Sequence, residues 1–123
     1  MIYNRIKALI SLKPGKQWTW GGTDYSGLIW HESDTAPTES EIDAEVTRLN
    51  NAEPIRLLRA ERDRLLTACD WVVTMHKELG TNIPAAWKTY RQSLRDLPAS
   101  ASPSLDSDGF LDLSSVTWPT EPS

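Results

Sequence analysis

Apolar positions along the chain change period several times, and each change marks an element. Ile2, Ile6, Leu9 and Ile10 recur on one helical stripe, and Pro14-Gly15 ends that first helix. Two strand candidates follow, 17–20 and 28–31, and the connector between them holds Gly21, Gly22 and Gly27 and reads as a loop. Pairing the two as a hairpin sets Trp18 opposite Trp30 and Trp20 opposite Leu28, with all four side chains on one face. A two-stranded ribbon with an indole-walled face is not stable alone and needs cover.

Thr38 and Glu41 form a Thr-x-x-Glu capping box after Pro37, and Ile42, Val46 and Leu49 continue at helical spacing. Asn50-Asn51 and Pro54 predict a break or kink. The next helix is expected from Pro54 to about Glu78, with Ile55, Leu58, Leu65, Leu66, Cys69, Val72 and Val73 on its buried face. Arg59 with Asp63 and Glu61 with Arg64 offer surface ion pairs. Gly80 stops this helix, and Pro84 suits the first turn of another that carries Trp87, Tyr90, Arg91 and Leu94 and closes at Pro98. Residues 99–108 read as a linker or a loop ordered on binding, and Val116-Thr117-Trp118 as a short strand ahead of Pro119 and Pro122.

The expected fold is therefore α+β in three parts. Residues 1–36 form an N-terminal helix plus a Trp-rich β-hairpin, residues 37–98 a helical hairpin or three-helix region, and residues 99–123 a linker and extended Trp-Pro tail.

Composition narrows the function. Thirteen Lys+Arg against seventeen Asp+Glu give a net charge of -4, with no basic surplus to neutralise a phosphate backbone, so nucleic acid is not an expected partner. Apolar runs are too short and too interrupted to span a membrane or to act as a secretory signal, and the expected compartment is a cytoplasm. The single cysteine rules out an internal disulfide and any multi-cysteine metal site. Cys69 and His76 lie seven apart, about 10 Å along one helix, too far for a nucleophile–base pair. Gly21-Gly22 lacks the Gly-Lys-Ser/Thr of a phosphate loop, and the Asp106–Asp108 stretch lacks the pattern of a calcium loop. No catalytic residue, cofactor or metal is assigned, and the expected protein is not an enzyme.

Six of the ten aromatic residues are tryptophan. One of them lies in the run Ala86-Trp87-Lys88-Thr89-Tyr90-Arg91-Gln92-Ser93-Leu94-Arg95-Asp96-Leu97-Pro98, which is followed after a gap by Val116-Thr117-Trp118-Pro119-Thr120-Glu121-Pro122. With Arg62-Asp63-x-Leu65-Leu66 and Asp70-Trp71 upstream, this arrangement resembles the C-terminal half of bacteriophage tail assembly chaperones and tail-fibre assembly proteins, across residues 56–122. The insert 100–113 departs from that pattern. The resemblance implies a late, non-enzymatic protein that binds a tail fibre or a tail/baseplate protein and assists its folding, trimerisation or attachment. An alternative is a structural virion component that caps or links fibre or baseplate subunits. It implies the host cytoplasm during assembly, with retention in the virion tail as the alternative, and self-association as a further possibility.

Trp18, Trp20, Trp30, Tyr90, Arg91, Trp118 and Pro119 are assigned to partner binding, because Trp, Tyr and Arg dominate interface hot spots. Leu58, Leu65, Leu66, Trp71, Trp87 and Leu94 are assigned to the structural core. For Trp118, a tail that folds back on its own helices stands beside strand addition to a partner.

Overall fold

The computed structural model describes residues 3–123, so Ile2 lies outside the described residues. The chain divides into two compact units, Met1–Glu53 and Pro54–Ser123.

In the first unit, the Asn4 side chain accepts from the Lys7 amide and caps helix α1 (Arg5–Leu12). Ala8 and Leu9 are its buried positions, while Ile6 and Ile10, expected on the buried stripe, are exposed. Apolar residues surround most of this short helix, so spacing alone does not choose the inward side. Strands β1 (Trp18–Trp20) and β2 (Leu28–Trp30) pair antiparallel in the expected register, Trp18 with Trp30 and Trp20 with Leu28. The connector ends in a 3₁₀ turn, Tyr25–Gly27, where Gly21 N–H donates to the Gly27 carbonyl at 3.0 Å. The cover the ribbon needs comes from the chain itself. Ala8, Leu9, Ile42 and Val46 form a core on which Trp18, Trp20, Leu28 and Trp30 pack.

Helix α2 (Glu39–Ala68) begins at the capping box, with Glu41 N–H donating to Thr38 Oγ1 and Thr38 N–H to Glu41 Oε1, each at 3.2 Å. It does not break at Asn50-Asn51 or Pro54: Pro54 lies inside one continuous helix. The interruption comes later, at Cys69, which takes non-helical angles (φ -113°, ψ 11°) ahead of α3 (Asp70–Leu79). The expected single helix to Glu78 is thus two.

Gly80 ends α3 in the left-handed conformation (φ 67°), with its amide turned back to the His76 and Lys77 carbonyls. Helix α4 (Ala85–Ser100) runs two residues past Pro98. Leu58, Leu97 and Val116 make one core cluster of the second unit, and Cys69, Tyr90 and Leu94 another. The segment after α4 is ordered rather than a plain linker. Leu105 and Leu111 form an antiparallel bridge, and the Asp106 carboxylate accepts from the Asp108 and Phe110 amides. Residues 116–118 pair with no strand among the described residues, and the β pairing of this region lies at 105 and 111. Helices dominate and the sheet is a two-stranded antiparallel ribbon, giving a small α+β fold.

Candidate partner-binding surfaces

The three hairpin tryptophans share one face as expected, but that face is turned inward. All three are half-buried against the chain's own helices. Two of the indoles are further tied down locally, each donating to a carbonyl four residues on: Trp20 Nε1 to Asp24 (2.9 Å) and Trp30 Nε1 to Asp34 (2.8 Å). The cover comes from both sides of the hairpin in sequence, from Ala8 and Leu9 of α1 and from Ile42 and Val46 of α2. A groove of about 460 Å³ remains beside this core, with Ile6, Trp20 and Val46 among its lining.

Tyr90 and Arg91, expected to face a partner, are internal in the second unit. Tyr90 is 6% exposed, and burial first, then the Glu121 carboxylate, pushes its phenol pKa up. Arg91 serves the break between α2 and α3. The Leu66 carbonyl at the end of α2 accepts from the Cys69 N–H at 3.2 Å and also from Arg91 Nη1 at 3.0 Å, and Nη1 donates to Cys69 Sγ at 2.9 Å. Its Nη2 donates to Asp70 Oδ1 at 2.9 Å. Burial works against the guanidinium's charge, and the bonds to Asp70 and Cys69 outweigh it, so the pKa is raised. The tail folds back on its own helices. Trp118 packs on the Leu58–Leu97–Val116 cluster and donates its Nε1 to the Leu113 carbonyl at 3.1 Å, and Pro119 is half-buried beside it.

The expected core residues divide differently. Leu58 and Leu94 are fully buried, while Leu65, Leu66 and Trp87 pack against the Cys69–Tyr90–Leu94 cluster. Trp71 does not belong with them: it is 58% exposed. Its ring meets Trp87 edge-on at 6.4 Å, and Trp87 meets Tyr90 likewise at 5.9 Å, so a row of three rings runs from the surface into the core. Met75 and Leu79 follow Trp71 at spacings of four and are also exposed. Residues four apart share a helix face, so α3 buries Val72 on one side and presents Trp71, Met75 and Leu79 on another. That spacing was readable in the sequence, but the neighbouring stripe of Cys69 and Val72 had already claimed the helix for the core.

Among the described residues, no group of three His, Cys, Asp or Glu side chains is placed to hold a metal ion, and no helix is long and apolar enough to cross a membrane. Cys69 is a buried thiol held between Leu66 and Arg91.

A family model described as phage tail assembly chaperone protein matches residues 55–123, more than half of the chain. The chain belongs to that family. No curated protein and no solved structure matches it. The chaperone match and the second compact unit begin within one residue of each other and both run to Ser123. The surfaces available to the family's shared portion are therefore those of the second unit, the α3 row among them.

Proposed function

We propose that this tail assembly chaperone binds a tail-fibre polypeptide through the exposed α3 row of Trp71, Met75 and Leu79, and assists its folding, trimerisation or attachment in the host cytoplasm. The observation that carries this reading is a large indole left more than half exposed in the unit that defines the family. Aromatic anchors supply most of the affinity of an interface, and a helix face with residues at i, i+4 and i+8 fits an apolar groove or the coiled stem of an oligomer. Methionine adapts its shape to irregular partners. The role is one of binding, and no step of it calls for catalysis.

The test is co-expression with a tail-fibre polypeptide of the same phage, followed by pull-down and a measure of soluble, oligomeric fibre. The wild-type chain is expected to co-purify with the fibre and raise its soluble yield, and Trp71→Ala to weaken capture ~10-fold or more. Fibre that trimerises equally well without the chain and never binds it overturns the proposal. Mass spectrometry of purified particles then separates a chaperone that leaves from a component retained in the tail.

A further inference from the structure

The second unit carries a groove of about 550 Å³ beside α3 and α4 that the reading above does not use. Val73 and Ile83 supply its apolar lining, and Lys88, Gln92 and Arg95 line it from α4. Lys88 and Arg95 are two helical turns apart on one side of α4, about 10 Å along the axis. Among the described residues neither has a carboxylate partner, and the Arg95 Nη1 donates only to Gln92 Oε1. Arg91 also lines the groove, but Asp70 answers its charge. An acidic chain thus holds a groove with two unanswered cations over an apolar lining.

The same unit carries a segment of the opposite character. Residues 105–111 fold into a hydrogen-bonded turn, closed by the Leu105–Leu111 bridge and by the Asp106 N–H donating to the Phe110 carbonyl at 2.7 Å, with Gly109 at φ 86°. Phe110 is 69% exposed, and Asp108 near the turn's tip is exposed with no cation paired to it among the described residues. Within one chain, Leu111 packs on the Leu58–Leu97–Val116 cluster, and neither Phe110 nor Asp108 lines the groove. A turn held in shape before binding loses little conformational freedom on docking.

We infer that a second copy of this chain is the occupant: its 105–111 turn docks in the groove, Phe110 against Val73 and Ile83, and Asp108 at Lys88 and Arg95. Made reciprocally, the exchange closes a two-fold dimer in which each turn fills the other chain's groove.

Sedimentation of the purified full-length chain tests this, and it is indifferent to whether any tail polypeptide binds. A dimer is expected at ~100 µM that dissociates more readily as salt rises from ~50 to ~500 mM. Phe110→Ala is expected to weaken it ~10-fold, and Arg95→Glu or Asp108→Arg each to weaken it similarly. The double variant Arg95→Glu with Asp108→Arg restores the opposite charges and recovers the dimer. All three side chains are on the surface, so the variants keep the wild-type helical circular dichroism. A chain that stays monomeric under these conditions overturns the inference, as does a dimer unchanged by Phe110→Ala and Arg95→Glu.

Discussion

Arg91 shows how a residue type associated with interfaces can be spent inside the fold. The sequence signature Trp-x-x-Tyr-Arg did not reveal this, because the break that Arg91 repairs comes 22 positions earlier and depends on α4 returning to the end of α2. Leu58 and Leu94 were legible as core, since apolar side chains on the inner stripe of an amphipathic helix have one outcome. Trp71 was not, because a helix with apolar residues on two faces gives no rule for which face its neighbours cover. Replacing Arg91 with alanine removes its bonds to the Leu66 carbonyl, Cys69 Sγ and Asp70, while the Cys69 N–H still serves the carbonyl, and the expected cost is ~1–2 kcal/mol, read as a lower thermal midpoint. Arg91→Lys retains the charge but not the fork, so it is expected to recover only part of that loss. A variant as stable as the wild type would show that the Cys69 amide alone suffices at the break.

Glu45 sets an acid limit on the first unit. It is buried, and hydrogen bonds first from Arg48 and then from Ser11 (2.7 Å) hold its carboxyl down from 4.5 to about 2. The unfolded chain therefore takes up this proton at a higher pH than the folded chain does. Its stabilising contribution is complete above about pH 5 and is lost as pH falls towards 2. Thermal melts of Glu45→Gln are expected to lie below wild type at pH 7 and to converge with it towards pH 2. Parallel curves across that range would show that Glu45 does not control the acid transition.

Among the elements, the hairpin register and the capping box were legible to the residue, because both are fixed by neighbours only a few positions apart. Helix lengths were less legible. Pro54 has no N–H to give Asn50, yet α2 continues through it, while the actual break at Cys69 carries no glycine or proline. Proline marks a cost in a helix, and packing on either side of it decides whether the helix stops. The hairpin connector has a stricter demand. A Cβ on Gly27 would stand 1.9 Å from the Gly21 carbonyl oxygen, backbone that cannot move without opening the turn. Gly27→Ala is expected to destabilise the first unit by more than ~2 kcal/mol and to quench the protected indole environment of Trp20 and Trp30. Unchanged tryptophan fluorescence and melting would mean the connector rearranges freely.

For the whole chain, the tryptophan excess separates by unit. Trp18, Trp20 and Trp30 complete the first unit's core, Trp87 and Trp118 pack into the second, and Trp71 alone is mostly exposed. Each unit draws its buried clusters from its own residues, and the family match falls on the second. A chain cut to residues 54–123 would open with Pro54, and proline suits the first position of a helix because its missing N–H is not needed there. That fragment is expected to fold, with helical circular dichroism and a cooperative melt, and to capture the fibre within ~3-fold of the full chain. Residues 1–53 alone are expected to capture none. A folded 54–123 fragment that fails to bind would move the fibre site to the first unit, whose groove beside Trp20 and Val46 would then be the surface to mutate.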